Sequence, residues 1–462
     1  MFSHSKPKTV LRRNSVTFAA MQLSSDQLAV ILERLSIAAL NPMQQASLAA
    51  CQQHDEVVLL SNTGSGKTLA FLLPLLPQLQ QSPKNSTTLI LSPTRELALQ
   101  IEAVFKSMGT GLKVTCCYGG HKVEIEENSL KQAPALLIGT AGRIADHIRR
   151  GNLQTQHITT LVIDEFDKSV ELGFEETMAF IVGELLALRK KILASATNIE
   201  PLPAFLHMQQ PQVLNFVNDA ELPQEKLALQ VLHCKEKDKI DSLFRLICHL
   251  GNRSTIVFCN HREAVERTAQ LLKEKDILNV FYHGSMEQRD RETALCKFSN
   301  GTVNVLVTTD LASRGLDIDN IRYIVHYHLP HTEASFTHRN GRTARMDASG
   351  TVIMMLGPDE KMPAYVTTTH SSIELPATAE IPEKPKWTTL FIAAGKKDKV
   401  NKVDVVGLLT QKGQLKPEDI GLITVKDFYT FVAIRKSKAS HCLTLVQQQK
   451  IKGIKAKIAI AK

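Results

Sequence analysis

Short apolar runs alternate with longer amphipathic stretches in two parts of the chain. From residue 57 to residue 197 these runs predict strands at Val57–Leu60, Thr88–Leu91, Lys113–Cys117, Ala135–Ile138, Leu161–Ile163 and Ile192–Ala194. From residue 255 to residue 356 they predict strands at Thr255–Cys259, Val280–Tyr282, Val303–Val307, Ile324–Tyr327 and Thr351–Leu356. The segments between them have the periodicity of helices. Apolar strands separated by helices are typical of parallel sheets covered on both faces, so the pattern predicts two doubly wound α/β domains.

The composition changes after residue 366 and indicates a third, smaller domain. Residues 367–386 are rich in Pro, Ser and Thr and are predicted to form a semi-extended linker. Beyond them, strands at Leu390–Ala393 and Thr430–Ile434 and helices at Val403–Gln411 and Ser437–Gln449 predict an α+β domain. The predicted organisation is an N-terminal extension (1–20), two α/β domains (21–218 and 226–366), the linker (367–386) and a C-terminal domain (387–462).

The positive charge of the protein lies at its two ends. The formal net charge is +9, yet residues 387–462 hold 15 basic and 5 acidic side chains, and residues 1–20 hold 4 basic side chains and no acid. The rest of the chain is mildly acidic. This distribution predicts that the C-terminal domain contacts a polyanion such as a nucleic acid.

Composition also limits the location of the protein. The apolar runs are far shorter than the ~20 residues of a membrane span, so we expect no membrane partner. Eight Cys occur without a C-x-x-C pair, and no apolar stretch follows the basic N-terminus. We therefore expect a cytoplasmic protein with reduced thiols.

The strongest local motif follows the first predicted strand. It comprises Ser61, Asn62, Thr63, Gly64, Ser65, Gly66, Lys67 and Thr68. Glycines let backbone N–H groups surround phosphate oxygens, the lysine reaches the outer phosphates, and the last hydroxyl can hold Mg²⁺. The motif therefore predicts a nucleoside triphosphate site, although a serine stands where the usual pattern has its first glycine.

Two further groups of charged residues fit phosphate chemistry. Asp164, Glu165 and Asp167 follow the strand Leu161–Ile163, where an open α/β sheet places its ligands. One carboxylate near a metal and a second near the attacking water is the arrangement that triphosphate hydrolysis needs. Arg342 and Arg345, three residues apart in the second α/β domain, have the spacing to clamp a transferring phosphoryl group.

Together these motifs and their order resemble those of the DEAD-box RNA helicases. The resemblance covers roughly residues 18–356. It rests on Phe18 with Pro42-Met43-Gln44, the phosphate loop, Pro93-Thr94-Arg95-Glu96-Leu97-Ala98-Leu99-Gln100, Gly119-Gly120, Thr140-Ala141-Gly142-Arg143, Asp164-Glu165-Phe166-Asp167, Ser195-Ala196-Thr197, Ile256-Val257-Phe258, His283-Gly284, Thr308-Thr309-Asp310, Arg314-Gly315-Leu316-Asp317 and His338 through Arg345. It implies two tandem RecA-like domains, ATP and Mg²⁺ as cofactors, and RNA as the partner.

The resemblance also implies a role for each motif residue. ATP would be held by Phe18, Gln44, Thr63, Gly64, Ser65, Gly66, Lys67, Thr68 and Asp317. Catalysis would rest on Lys67, Asp164, Glu165, Arg342 and Arg345, and Mg²⁺ on Thr68 and Asp164. Coupling of hydrolysis to unwinding would depend on Ser195 and Thr197. The RNA path in the core would be lined by Arg95, Gly120, Thr140, Arg143, Thr308 and Arg314, contacts that read RNA shape rather than sequence.

Several positions depart from the family pattern without removing a catalytic group. They are Ser61, Phe166 in place of Ala, Ala141 in place of Pro, Asn340 in place of an apolar residue, and Ser36-Ile37 in place of Gly-Phe. Phe166 is the departure expected to alter contact with Ser195 and so to weaken coupling.

The C-terminal domain contains Thr389 through Lys397, Asp419-Ile420-Gly421, Tyr429 through Ile434 and Lys450-Ile451-Lys452-Gly453. In these segments it resembles the RNA-binding module of the DbpA-type bacterial helicases, which recognise large-subunit ribosomal RNA. The resemblance covers about residues 388–459 and implies an RRM-like fold. It implies RNA contacts by Phe391, Lys396, Lys397, Tyr429 and Lys452. The alternative is that Phe391 and Phe431 are core residues of a small domain.

We therefore expect an ATP-dependent RNA helicase that separates short duplexes and is directed to large-subunit ribosomal RNA, its precursor or pre-ribosomal particles. The alternatives are a general helicase of RNA decay or cold adaptation, and an ATP-independent RNA-binding or annealing protein. A metal site at His326, His328, His331 and His338 is disfavoured because no Cys lies nearby. The acidic face formed by Glu124, Glu126 and Glu127 is expected to be solvated.

Overall fold

The first sheet is built from short apolar strands that are buried on both faces. In the computed structural model of the chain, the structure describes residues 23–62, 64–120, 122–217, 227–310, 321–341, 350–367, 369–376 and 378–461. The first seven strands are β1 Glu56–Leu60, β2 Thr88–Ser92, β3 Val114–Cys117, β4 Leu136–Thr140, β5 Thr160–Ile163, β6 Lys190–Ser195 and β7 Gln212–Asn215. They form one parallel sheet in the order β3-β4-β2-β5-β6-β1-β7.

Helices cover both faces of this sheet. They are α1 Ser25–Arg34, α2 Pro42–Gln53, α3 Lys67–Gln81, α4 Arg95–Ser107, α5 Val123–Leu130, α6 Ala141–Arg149, α7 Phe166–Glu171 and α8 Glu175–Glu184. One apolar core forms around α3 and α4, and a second around α6, α7 and α8. Parallel strands all end at the same edge of a sheet, so the motifs that follow β1, β2, β4, β5 and β6 are brought to one edge.

The second unit begins after the division of the chain at Val217 and contains a sheet of the same kind. Its strands are β8 Leu227–His233, β9 Thr255–Phe258, β10 Asn279–Tyr282, β11 Val305–Thr308, β12 Tyr323–His326, β13 Gly350–Leu356 and β14 Ser371–Ser372. They are parallel, in the order β10-β11-β9-β12-β13-β8-β14. The helices described here are α9 Ile240–Leu250, α10 Arg262–Glu274, α11 Gln288–Ser299 and α12 Glu333–Asn340.

The C-terminal part is a four-stranded antiparallel sheet with two helices. The strands are β15 Trp387–Ile392, β16 Ile420–Val425, β17 Thr430–Arg435 and β18 Ile458–Ile460, in the order β16-β17-β15-β18. Helices α13 Lys402–Gln411 and α14 Lys436–Val446 pack on one face of this sheet. The predicted fold class, two RecA-like domains and a small α+β domain, is confirmed.

Within the described residues, no helix combines the length and the apolar character that crossing a membrane requires. Eight cysteines are unpaired, and Cys116 and Cys248 are the half-buried ones among them. The predicted boundary segment 218–225 and the N-terminal extension 1–20 lie outside the described residues.

Candidate functional site

The phosphate loop joins the end of β1 to the start of α3. Gly64 and Gly66 have φ angles of +84° and +91°, in the left-handed region that glycine adopts without strain. At Gly66 a Cβ atom would also lie 2.6 Å from the Gln44 side-chain nitrogen, so this position needs glycine for two reasons. The first position, Ser61, is 1% exposed and its N–H donates to the Ser195 carbonyl at 3.0 Å. The backbone therefore joins the start of the loop to the end of β6, and the buried serine is accommodated there.

Lys67 begins α3 and its ammonium group donates to the carbonyl oxygen of Ser61. Only 9% of this side chain is exposed, so its charge acts in a largely dry environment. Thr68, the predicted Mg²⁺ ligand, follows in the first helical turn and is half-buried. Both side chains therefore lie at the helix N-terminus, where the positive end of the helix dipole favours phosphate.

Gln44 is tied to the same loop. Its side-chain oxygen accepts the N–H of Asn41 at 3.0 Å, and its side-chain nitrogen lies 3.3 Å from the Gly66 carbonyl oxygen, to which it donates. Asn41 also donates to the Ser65 carbonyl at 3.0 Å. The start of α2 and the phosphate loop thus form one hydrogen-bonded group, which fits the prediction that Gln44 belongs to the nucleotide site.

Two acids lie at the end of β5, in the crevice where the sequence predicts hydrolysis. Asp164 and Glu165 are 5% and 6% exposed, and Glu165 has a φ angle of +45°, a left-handed conformation that is uncommon outside glycine. The Asp164 carboxylate accepts the Glu165 N–H at 3.0 Å. Burial and, next, the charge of Glu165 raise the pKa of Asp164 to about 7, although the charge of Lys67 opposes this rise.

The donor set of this crevice fits a divalent cation. Among the described residues, the Oε2 atom of Glu165 is buried without a hydrogen-bond partner. Two buried carboxylates beside one another repel, and a cation bound near them relieves that repulsion. Hard carboxylate and hydroxyl oxygens are also the ligands that Mg²⁺ prefers. Asp164 with Thr68 therefore fits a magnesium ion, and the Glu165 oxygen fits a water-orienting role.

Ser195 and Thr197 connect the end of β6 to the acidic motif. The Thr197 hydroxyl donates to the Asp167 carboxylate at 3.0 Å, and the Ser195 hydroxyl donates to the Thr197 carbonyl at 2.6 Å. Phe166, expected from its bulk to alter the contact with Ser195, is 1% exposed and belongs to the apolar core beneath this edge. The link between the two motifs is therefore present with phenylalanine at this position.

The predicted RNA contacts of the first unit lie together at the ends of β2, β3 and β4. Arg95 donates to the Gly119 carbonyl at 2.9 Å. Gly120 has a φ angle of +96°, and a Cβ atom there would lie 2.3 Å from the Arg95 guanidinium. Thr140 caps α6, and Arg143 lies in the first turn of that helix. Four residues from three motifs are thus brought to one surface.

Glu126 was expected to be solvated, and this expectation is wrong. The side chain is 3% exposed and its carboxylate faces Arg143 and His147. On the same helix Glu124 is exposed, which agrees with the expectation for that residue. Sequence periodicity does not reveal the burial of Glu126 because its partners lie on other elements, in the loop after β3 and in α6.

The second unit holds a buried arginine, Arg339, whose role the sequence pattern alone does not reveal. Arg339 is 1% exposed and its guanidinium forms a bidentate pair with Asp310, the second bond being 3.0 Å long. It also donates to the Asn260 side chain at 2.8 Å and to the His328 carbonyl at 2.7 Å. Arg339 therefore fixes the start of the segment that leads to Arg342. The signal was its place between His338 and Asn340 in a recognised motif.

Asn340, which replaces an apolar residue of the family pattern, is buried and paired. Its side-chain oxygen lies 3.0 Å from the Nε2 atom of His326, while the other ring nitrogen of His326 lies 3.2 Å from Arg339. Burial, and then the charge of Arg339, lower the pKa of His326 to about 3. The neutral His326 ring therefore donates to Asn340 and accepts from Arg339, which leaves no nitrogen for a metal.

Thr308 ends β11 and is fully buried, with its hydroxyl donating to the Tyr282 carbonyl at 2.9 Å. The remaining predicted site residues lie outside the described residues. They are Phe18, Thr63, Arg314, Asp317, Arg342 and Arg345.

The aromatic face of the C-terminal sheet packs against α11 of the same unit. Phe391 and Phe431 are 9% and 0% exposed, and the Tyr429 hydroxyl donates to the Glu292 carboxylate at 2.8 Å. The Arg289 guanidinium lies 4.8 Å from the centre of the Phe391 ring, and Cys296 completes the apolar cluster. This packing covers the Phe391 ring and corrects the expectation that it stacks on a base. Tyr429 is half-buried, and its contact with RNA stays a prediction. The core alternative fits the observed burial.

The predicted lysines of this domain are accessible. Lys396 and Lys397 are exposed beside β15, and Lys452 is exposed with its ammonium 3.3 Å from the Asp404 carboxylate. These three lysines are therefore free of the packing that covers Phe391 and Phe431.

Comparison with known proteins adds three family matches. Residues 41–204 match the DEAD/DEAH box helicase family, residues 238–347 the helicase conserved C-terminal domain, and residues 389–460 the DbpA RNA binding domain.

Two relatives match over nearly their whole length. The ATP-dependent RNA helicase DbpA of Escherichia coli is 33% identical over 93% of this chain and 96% of its own length. The protein of the same name in Bacillus subtilis is 31% identical over 96% of this chain and 98% of its own length. A solved structure of Mss116p bound to single-stranded RNA and AMP-PNP has a TM-score of 0.67 at 25% identity, covering 79% of this chain and 81% of that one.

Proposed function

This chain belongs to the DEAD-box ATP-dependent RNA helicases, in the group that carries a DbpA RNA-binding domain, and from this premise we propose that it acts on large-subunit ribosomal RNA during ribosome assembly. The helicase core would separate short duplexes, and the C-terminal domain would bring it to the ribosomal RNA or to pre-ribosomal particles. The observation that carries the proposal is a DbpA-type domain in which 15 basic side chains stand against 5 acidic ones.

The described core residues support distinct roles in ATP hydrolysis. Lys67 and Thr68 would bind the outer phosphates and Mg²⁺, which when bound neutralises charge on the phosphoryl oxygens. Asp164 would hold that ion, and Glu165 would orient the attacking water. Thr197, bonded to Asp167, would transmit the state of the nucleotide to the RNA surface.

The roles of the remaining motif residues follow from the family resemblance. Arg342 and Arg345 would stabilise the transferring phosphoryl group, and Asp317 would contact the ribose. If ATP and RNA both favour the conformation in which Arg342, Arg345 and Asp317 complete the nucleotide site, RNA binding promotes ATP hydrolysis by thermodynamic linkage. Arg95, Gly120, Thr140 and Arg143 would contact the RNA backbone, so the core itself would show little sequence preference.

The test compares ATP hydrolysis with large-subunit ribosomal RNA, with an unrelated structured RNA and without RNA. A triple substitution of Lys396, Lys397 and Lys452 by Ala removes charge from exposed loops and leaves the packed aromatic face intact. We expect it to abolish the preference for ribosomal RNA while the protein still responds to high concentrations of any RNA. It should also reduce the slope of log affinity against log salt concentration by about 2 to 3, because three lysines are replaced. Each lost phosphate contact removes about 0.7–0.9 from that slope.

The matched control removes three other exposed lysines of the same domain, Lys412, Lys416 and Lys438, and changes the net charge equally. If both triple variants lose the same affinity, general charge rather than a defined surface directs the protein. If neither changes the preference, the rival function, a general helicase of RNA decay or cold adaptation, is favoured.

A further inference from the structure

A buried carboxylate connects two of the RNA-contact motifs of the first unit. Glu126 lies in α5 and is 3% exposed, whereas Glu124, two residues earlier, is exposed to solvent. A charged carboxylate is expensive to bury unless it is paired and hydrogen-bonded. The contacts of Glu126 therefore indicate what its charge is used for.

Each oxygen of the Glu126 carboxylate has its own partner. Oε1 accepts the N–H of Tyr118 at 2.8 Å, directly before Gly119 and Gly120. Oε2 lies 2.7 Å from the Nε2 atom of His147 and 3.6 Å from the Arg143 guanidinium. The carboxylate therefore links the loop after β3 to the helix that begins after β4.

The neighbouring hydrogen bonds determine which atoms donate. The Asn152 side-chain nitrogen donates to Glu127 at 3.2 Å and to the Nδ1 atom of His147 at 3.1 Å. His147 therefore carries its proton on Nε2 and donates it to Glu126. Cys117, Glu126 and His147 have ligand atoms within 4.8 Å of one another, but this donor pattern already uses both Glu126 oxygens and both ring nitrogens. The cluster is a hydrogen-bonded ion-pair network rather than a metal site.

We propose that Glu126 is a positioning residue for RNA binding, which it supports by holding Arg143 and the Tyr118–Gly120 loop in one fixed arrangement. The inference rests on the proposed function, in which Arg143 and Gly120 contact the RNA backbone. A neutral glutamine does not replace the carboxylate, because one of its two polar atoms is an NH₂ group. That group faces either the Tyr118 N–H or the His147 N–H, and a donor then meets a donor.

The experiment compares Glu126→Gln with the matched control Glu124→Gln from the exposed side of the same helix. ATP hydrolysis is measured at saturating ATP against the concentration of a single-stranded RNA oligonucleotide. For Glu126→Gln we expect the RNA concentration at half-maximal rate to rise about tenfold, which corresponds to about 1.4 kcal/mol, without a matching rise in KM for ATP. Glu124→Gln should behave as the unmodified protein does.

A double-mutant cycle identifies the route of the effect. Because Glu126 also holds the Tyr118–Gly120 loop, the double variant Glu126→Gln/Arg143→Gln should lose more RNA affinity than Arg143→Gln alone but less than the sum of the two single losses. If the two losses add in full, Glu126 does not hold Arg143 and the proposal is wrong. The conservative variant Glu126→Asp keeps both oxygens and should recover most of the RNA affinity, so the proposal stays testable if the glutamine variant does not fold.

Two outcomes separate this proposal from others. A lower melting temperature with an unchanged RNA half-saturation for Glu126→Gln would overturn it and show a purely structural role. Absence of RNA stimulation in the unmodified protein would instead refute the proposed function. The cycle is therefore interpreted only after that stimulation is measured.

Discussion

Replacement of Asp164 by Asn tests the electrostatics of the nucleotide pocket. Burial and the adjacent Glu165 raise the pKa of Asp164 from 3.8 to about 7. In the unfolded chain this carboxyl group loses its proton near pH 4, whereas in the folded protein it keeps the proton until about pH 7. Folding therefore takes up a proton between these values, and the stability of the protein falls as the pH rises through that interval.

The magnitude follows from the shift. About three pKa units at 1.36 kcal/mol each give on the order of 4 kcal/mol at pH 8. Asparagine keeps an oxygen to accept the Glu165 N–H and has no charge to bury. We therefore expect Asp164→Asn and the unmodified protein to have equal unfolding free energies near pH 4. Between pH 4 and pH 7 the unfolding free energy of the variant should exceed that of the unmodified protein by a growing amount, and above pH 7 the difference should stay constant.

The assay is urea unfolding between pH 4 and pH 8 without nucleotide, followed by far-ultraviolet circular dichroism. Trp387 is the single tryptophan and lies in the second unit, so its fluorescence shows whether that unit is unaffected. The control is Asp146→Asn, because a hydrogen bond from Arg150 lowers the pKa of the exposed Asp146 and gives the opposite sign. Equal pH dependence of Asp164→Asn and the unmodified protein would refute the reasoning.

Two further predictions concern the second unit. Arg339→Lys removes the planar guanidinium group that pairs with Asp310. Because Arg339 is fully buried, we expect the unfolding free energy to fall by about 3 kcal/mol, measured by urea unfolding with Trp387 fluorescence. A loss below about 1 kcal/mol would contradict the role of this hydrogen-bond network. Tyr429→Phe removes the hydrogen bond to Glu292 that joins the C-terminal sheet to α11. Such a bond contributes about 1 kcal/mol to stability, so its loss should speed hydrogen exchange in α11 about fivefold. Unchanged exchange would show that the remaining contacts, the apolar cluster and the hydrogen bonds of Asn300 and Thr302 with Thr389, suffice to hold the two parts together.

The sequence predicted the central strands well because their burial leaves a local signal. Predicted strands such as Thr88–Leu91 and Leu161–Ile163 lie within one residue of β2 and β5 at each end. The edge strand β7 was not predicted, since its residues alternate between half-buried and exposed positions and give no continuous apolar run. The two-residue strand β14 lies in the predicted linker and is too short to leave any periodicity.

The candidate site was predicted where a motif defines it and missed where tertiary packing does. Lys67, Asp164 and Glu165 were identified because phosphate chemistry requires those residue types at fixed spacing. Glu126 was misjudged because its partners lie far along the sequence or outside its helix, in the loop after β3 and in α6. Phe391 was assigned to RNA because an aromatic residue on a sheet face looks the same in sequence whether a base or a helix covers it.

The measurement that tests the central claim most directly is crosslinking of the protein to RNA in living cells, followed by mapping of the bound sites. The account predicts that the sites concentrate in large-subunit ribosomal RNA and its precursor. It also predicts that substitution of Lys396, Lys397 and Lys452 by Ala disperses them. Crosslinks spread over messenger RNAs, unchanged by the substitution, would contradict it.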